Sequence, residues 1–582
     1  MNRTRAPEAM QFHGQGVMGL GRWSTLVVCI GSAFAGWVLS TSAAWAQAAG
    51  GLLPATGVGG RGQDLRSNLE GLLPNLPVRS IGRAWTISPS IGVDVGVTDN
   101  PGGSGRSSSV DAFTMISPTV ALTGDTSRLT VRLNYAPEVY LYARTSGQNR
   151  VSQSLNASTL VTIVPETFFL DLRGLISEQS RTGSNQLVNQ QNNQFLSRQD
   201  TIRSVSFSAT PYLQHRFAGW GTGRIGYSIA RTLQDSQDGL NTFNNGLNTF
   251  DTSPGFGTTG NLTTQRERAS FVTGENLGRI NNETILEAVQ YSGSGAYHGA
   301  YRNTVSNELG YAVSRTITLL GGIGYQDLRF SGAPGYRLRE PTWNVGTRLS
   351  PNADSTITVL YGRRDGSTQV SFDGSYSPTA RTRIFGRYST GISSDAEDQQ
   401  SVLQTTSVGP TGLLVDSVTG APVSATNSFG TQNGINRIKR LSFTALLLMD
   451  RDSFSATVTN EDRTTLTPST SFLGNTVAPG TSSSSTTGSL GWQHDLNPVT
   501  SLSTTVSYGV SNNATLLGNA GGGSQNTFSA SASLGHTFTE TLTGSVRYSY
   551  TDRSGGQGNN LPATLGGNST QNLLLVGLRK SF

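Results

Sequence analysis

Residues Trp85–Thr98 read WTISPSIGVDVGVT. Ile87, Pro89, Ile91, Val93, Val95 and Val97 alternate with Ser88, Ser90, Gly92, Asp94, Gly96 and Thr98. Successive side chains of a strand point to opposite faces, so this stretch presents one apolar and one polar face. LTVRLNYAPEVYLY, residues Leu129–Tyr142, repeats the pattern: Leu129, Val131, Leu133, Tyr135, Pro137, Val139 and Leu141 share one face. Leu542, Gly544, Val546, Tyr548 and Tyr550 do so again near the C-terminus. Such runs are longer than the common soluble strand of about 5–6 residues. They suit tilted strands through a bilayer, where about 9–11 residues cross.

Carried along the chain, the period predicts 22 strands. They start near residues 85, 111, 128, 151, 167, 200, 221, 265, 283, 302, 316, 338, 355, 367, 381, 435, 453, 485, 500, 525, 541 and 569. Gaps after even-numbered strands are short, as at Thr123–Ser127, Val164–Glu166, Ser314–Arg315 and Asn497–Val499. Gaps after odd-numbered strands are mostly long, as at Ser180–Gln199, Gln234–Thr264 and Ser393–Gly434, with the tight Asp365-Gly366 turn as an exception. Short periplasmic turns alternating with long external loops define an outer-membrane barrel. The expected fold is therefore all-β: a transmembrane, antiparallel, up-and-down outer-membrane β-barrel of about 22 strands, spanning 84–582, with both ends periplasmic. Tyr227, Tyr325, Tyr361, Tyr388, Tyr508 and Tyr548 recur in strands leading outward, as an interfacial girdle requires.

Composition agrees. Only 13% of the 582 residues are charged and 71 are Gly, against a usual charged share of about 25%. The N-terminus carries Arg3, Arg5 and Arg22, an apolar stretch Trp23–Leu39, then Ala44-Trp45-Ala46. That is the three-part secretory pattern with an Ala-x-Ala cleavage site. Residues 1–46 are expected to be a signal peptide cut near Ala46, and 47–83 a short periplasmic segment, too short for a separate plug domain. The single cysteine, Cys29, lies in the leader, so no disulfide scaffold is expected. The whole chain has two Lys, Lys439 and Lys580, and its Arg are dispersed, so nucleic acid is not an expected partner.

A charged side chain facing lipid at mid-depth costs about 2–4 kcal/mol for Arg or Lys. Arg132, Glu138, Asp171, Arg173, Arg224, Arg383, Arg387 and Arg547 are therefore expected to face the lumen, each on the polar parity of its strand. They suit ion pairs in a solvated wall, or a track for an anionic or hydroxyl-rich polymer, since the Arg fork matches carboxylates. His215, His494 and His536 recur near the periplasmic ends of strands far apart, which predicts no metal site and no cofactor. No Gly-x-Ser-x-Gly or HExxH motif occurs, so no enzyme is expected. GLNTFNN and GLNTFDT, Gly239–Asn245 and Gly246–Thr252, form a small duplication in an external loop. Ser393–Gly434, the longest connection, is expected to cap or constrict the lumen, with a small hairpin around Gly412–Val423.

Four groups of residues carry a family resemblance. They are Trp85-Thr86-Ile87-Ser88-Pro89-Ser90-Ile91 with Thr98-Asp99-Asn100, Ile116-Ser117-Pro118, Leu133-Asn134-Tyr135 with Tyr140-Leu141-Tyr142, and Ser375-Tyr376-Ser377-Pro378-Thr379-Ala380-Arg381. Through them the chain resembles a β-barrel porin family of the outer membrane associated with exopolysaccharide and exosortase loci. The resemblance implies an outer-membrane location and a part in polysaccharide export or surface assembly. A terminal Phe582 on the alternating face Leu574, Val576, Leu578, Lys580 resembles the signal read by the barrel insertion machinery; Lys580 departs from the usual apolar residue there. The expected partners are outer-membrane lipid and lipopolysaccharide, the insertion machinery and a polysaccharide. The expected function is a channel in exopolysaccharide export or surface assembly. A general diffusion porin, and a structural or adhesive surface protein acting through its loops, are the alternatives.

Overall fold

The computed structural model describes residues 85–102, 109–180, 201–236, 261–293, 295–408, 414–416, 429, 434–470, 476–512, 524–555 and 568–582. The proposed leader, its cleavage site, residues 47–83 and the Gly239–Thr252 duplication lie outside them. Twenty-two strands form one closed antiparallel sheet. They begin with β1 (Trp85–Thr98), β2 (Asp111–Asp125), β3 (Leu129–Tyr142), β4 (Arg150–Val164), β5 (Phe168–Ser180), β6 (Thr201–Arg216) and β7 (Gly221–Ser236). Next come β8 (Leu262–Thr273), β9 (Ile280–Gly293), β10 (Tyr301–Ala312), β11 (Ile317–Phe330), β12 (Tyr336–Leu349), β13 (Thr356–Arg364), β14 (Ser367–Thr379) and β15 (Thr382–Ser393). A helix, α1 (Asp395–Thr405), and a small hairpin, β16 (Thr406–Val408) with β17 (Leu414–Asp416), follow before β18 (Asn436–Leu448) and β19 (Asp452–Thr465). A second small hairpin, β20 (Ser469–Thr470) with β21 (Thr476–Val477), precedes β22 (Ser482–Asn497). The ring ends with β23 (Thr500–Asn512), β24 (Ser524–Thr539), β25 (Leu542–Gly555) and β26 (Ser569–Ser581).

Every expected strand is present, each start within three residues of the position read from the period. The alternation works as its physics demands. In β1, Ile91, Val93, Val95 and Val97 are exposed on the outer surface while Ser90, Asp94 and Thr98 are buried. The outer face of β26 is likewise Leu574, Val576 and Leu578, with Arg579 buried on the other side. Tyr227, Tyr325, Tyr361, Tyr508 and Tyr548 are all exposed outward, and Phe217, Trp220, Phe454, Trp492 and Phe538 are exposed near the opposite rim. Such an outer face is stable in hydrocarbon and poorly suited to water. Among the described residues no helix is long and apolar enough to cross a membrane.

Connections sort by end of the barrel. β14–β15 are joined by Ala380–Arg381, β22–β23 by Pro498–Val499 and β24–β25 by Glu540–Thr541, all at one rim. At the other rim, the β13–β14 turn has Asp365 at φ 53° and Gly366 at φ 77°. Two successive left-handed residues match the twist of a two-residue hairpin. The barrel closes where β1 pairs with β26, from Ser90↔Ser581 to Thr98↔Leu573. Arg579 fastens that seam from inside, donating to Ser90, Thr119 and Ser117 at 2.9–3.0 Å. Phe582 donates its backbone N–H to Pro89 O at 3.0 Å. A Cβ at Gly577 would meet the Asp94 carboxylate, which would have to turn aside to admit it.

Residues 414–416 pair with 406–408, and the rest of the expected hairpin around Gly412–Val423 lies outside the described residues. One expectation needs correction. Ser483, which lies before the strand start expected near 485, is buried within β22. Topology is therefore best tested at Pro479, which is exposed in the turn before β22. In intact cells Pro479→Cys should react with a membrane-impermeant maleimide and Ser127→Cys should not; the reverse would invert the barrel.

Candidate functional site

The inner wall is polar because the outer wall cannot be, and its charges find partners along the wall. Arg173 and Asp171 of β5 form an ion pair at 2.9 Å. Arg224 of β7 stacks its guanidinium 3.6 Å from the Tyr212 ring centre, and Tyr212 in turn stacks on Phe169 at 5.1 Å. Arg387 pairs with Asp373 at 3.0 Å, and Arg383 lies over the Phe385 ring. Glu138 is buried and accepts from the Tyr140 hydroxyl at 2.6 Å. Arg132 is half-buried opposite Thr123 and Ser158. Arg547 is buried opposite Ser533 and Leu575. Asp171, Arg173 and Arg224 thus share the β5–β7 sector, whereas Arg383 and Arg387 lie on β15 and Arg547 near the seam.

The connection after β15 brings these sectors together. Ser394 caps α1, its hydroxyl accepting from the Glu397 N–H. Asp395, Glu397 and Asp398 then fill the first turn, where the positive end of the helix dipole favours acids. Each meets the wall. Asp395 pairs with Arg463 of β19, both buried. Asp398 pairs with Arg440 of β18 at 3.0 Å, and Arg440 also holds Glu461 at 2.9 Å. Glu397 accepts from the Tyr291 hydroxyl of β9 at 2.8 Å and lies 3.7 Å from Arg302 of β10. Ala396 packs among Leu262, Val289, Leu328, Phe330, Ile392 and Ile435.

The far end of α1 lands on another part of the wall. Gln400 donates to Leu262 O of β8 at 3.2 Å, and Arg266 donates to Gln404 at 2.9 Å. Leu403 packs against Leu175 of β5. Arg173 Nη1 donates to the carbonyls of Leu403, Gln404 and Thr406 at 3.2, 2.9 and 2.7 Å. A cation on the last carbonyls satisfies groups that the helix leaves unpaired and opposes its dipole. An eleven-residue helix is about 16 Å long. It runs across the interior from β18–β19 to β5, past β8–β10.

Arg173 was foreseen as an inward residue. Arg266, Arg302, Arg440, Glu461 and Arg463 were not, though each sits on the polar parity of its strand. The helix also had a signal: Ser394-x-x-Glu397 is the capping-box spacing. The histidines stay apart. His494 Nδ1 is 2.9 Å from Asp452, and His536 Nδ1 is 2.8 Å from Thr500. Among the described residues no group of three or more His, Cys, Asp or Glu could hold a metal ion.

A closed 22-strand barrel with an apolar outer face and polar interior defines an outer-membrane β-barrel fold, channel-like in form. No family model and no curated protein matches the chain. Solved structures with a similar fold include the FrpB iron transporter of Neisseria meningitidis (F5-1 variant). It is 10% identical with TM-score 0.45, over 86% of this chain and 83% of that one. The ferric-catecholate import receptor Fiu of E. coli K12 is 12% identical with TM-score 0.43, over 84% and 81%. OpdK of Pseudomonas aeruginosa, solved with vanillate, is 8% identical with TM-score 0.32, over 85% and 99%. Likenesses this distant assign no cargo.

Two outcomes follow from the way α1 is held. Arg463→Met removes the guanidinium beside buried Asp395, a loss of about 3 kcal/mol. A cysteine at Gln399, buried in α1, should then react with thiol reagents at least tenfold faster than in an otherwise native chain. Glu397 gives a pH dependence. Burial pushes its carboxyl above the ordinary glutamate value of 4.5, against the pull of Arg302 and the Tyr291 hydrogen bond. Its Oε2 is buried without a hydrogen-bond partner among the described residues. A raised acid favours the docked helix when protonated, so its contribution is complete below the ordinary value and fades as pH climbs through the raised one. Reactivity of the Gln399 cysteine, corrected for thiolate fraction, should rise as pH climbs above the ordinary glutamate value of 4.5. In Glu397→Gln it should stay flat.

Proposed function

We propose that this chain is an outer-membrane channel narrowed by α1, with a part in exopolysaccharide export or surface assembly. The observation that carries the reading is the tethering of α1 across the interior by ion pairs at one end and Arg173 at the other. A helix so placed is a natural constriction, supplied by a wall loop rather than by a separate domain. Support for a sugar cargo comes from the interior itself. Arg224, Arg268 and Arg387 are exposed on the inward parity of β7, β8 and β15, and Ser154 and Ser158 of β4 are partly exposed there. Hydroxyls and planar guanidinium forks suit a hydroxyl-rich or carboxylated polymer. Lipid and lipopolysaccharide are its surroundings, and Phe582 is its mark for the barrel insertion machinery.

Planar-bilayer recording of the purified barrel tests this. Replacing Gln399–Thr426 with a short linker should raise single-channel conductance severalfold and speed antibiotic uptake by cells. Unchanged conductance and uptake would remove α1 as the constriction.

A further inference from the structure

The outer face of the β11–β12 hairpin changes character within a few residues. Ile323 lies opposite Trp343, then Tyr325 opposite Pro341, Asp327 opposite Arg339, and Arg329 opposite Arg337. This is the outward parity, since Gln326, Leu328, Phe330 and Glu340 on the other parity are buried. Ile323 is 72% exposed and Tyr325 and Trp343 are also exposed. Apolar surface thus gives way to cations at the rim that carries the long connections.

The acid in this cluster is already engaged. Asp327 accepts from Arg339 Nε at 2.9 Å and from the Tyr301 hydroxyl at 3.2 Å. Arg329 and Arg337 are exposed and have no ion pair or hydrogen bond among the described residues. Like charges directly opposite on neighbouring strands destabilise a sheet, so the pair is short of an anion. β13 pairs with β12 only up to Trp343↔Arg363, and the chain turns back at Asp365–Gly366. The Asp365–Gly366 turn packs against Tyr336, Leu338 and Glu340 on the inward parity, which leaves Arg337 and Arg339 on the outer face.

We propose that Arg329 and Arg337 bind a phosphate of an outer-leaflet glycolipid of the lipid A type, whose acyl chains lie along Tyr325, Ile323 and Trp343. The inference rests on the reading of this barrel as an outer-membrane protein with its long connections outside. Charge complementarity at the edge of an apolar band selects an anionic headgroup on a hydrocarbon tail, and two guanidinium forks match phosphate oxygens. Asp327 holds Arg339 and Tyr301 in place below the headgroup.

Native mass spectrometry of the full chain in detergent, with added bisphosphorylated lipid A, tests the site without reference to channel activity. Folding is checked by heat-modifiable migration. Arg329→Gln with Arg337→Gln should lower lipid A retention at least tenfold, and Arg329→Lys with Arg337→Lys should keep most of it. Arg337→Gln alone, which leaves one cation at the rim, should lose severalfold and serves if the double variant does not fold. Lipid A stripped of its phosphates should bind poorly to the native chain. Equal retention of lipid A by the Gln variants and the native chain would overturn the proposal. So would equal retention of phosphatidylglycerol, which would mean a general anion preference.

Discussion

A wall exposed to hydrocarbon must satisfy its backbone N–H and C=O groups from within, because no water is there to do so, and each group left over costs several kcal/mol. A single sheet can meet that demand only by closing on itself. Here the requirement is discharged by the β1–β26 pairing, extended by the Phe582 N–H on Pro89 O. The side chains follow the same constraint. Apolar residues take the outward parity, so polar residues are left with the interior, and Arg579 uses that interior position to tie the seam to β2 as well as β1.

Charges gathered inside a ring repel or pair. This interior pairs them partly along the wall, as in Arg387 with Asp373, and partly through α1. The first turn of the helix carries three acids, and Arg463, Arg440 and Arg302 surround them. The helix is thus held by electrostatics at its N-terminal end, and by an arginine on its carbonyls at the other. Its apolar contacts are few, mainly Ala396 and Leu403. Buried ion pairs recover their desolvation cost only with good geometry, so they fix where α1 lies more than they stabilise the barrel.

The strands were legible because period 2 is a direct consequence of the pleat and recurs in each of them: Trp85–Thr98 alone displays the rule. Parity puts Asp171, Arg173 and Arg224 on the polar faces of their strands in the sequence, but it is silent about distance across the interior. No local pattern says that Arg173 reaches Leu403, 230 positions away. The helix itself was missed for a different reason. Most of its buried residues are polar, Asp395, Glu397, Gln399 and Gln400 among them, so it lacks the apolar stripe that marks a helix packed on a core. Only the Ser394–Glu397 cap announced it. The hairpin expected around Gly412–Val423 did not include the pairing of Leu414–Asp416 with Thr406–Val408.

The seam has a further meaning in terms of chain entropy. Every barrel pairing except one joins strands that follow each other in the ring's own order, so most of the sheet forms through short-range hairpins. The exception joins positions such as Ser90 and Arg579, separated by 489 residues. Closure entropy grows only logarithmically, about 0.6 kcal/mol for each doubling of a loop. The longest sequence separations in the sheet therefore fall where one edge meets the other. Insertions in the external connections, of the kind seen in the repeated Gly239–Thr252 segment, lengthen that path by a small fraction and leave ring closure nearly unchanged.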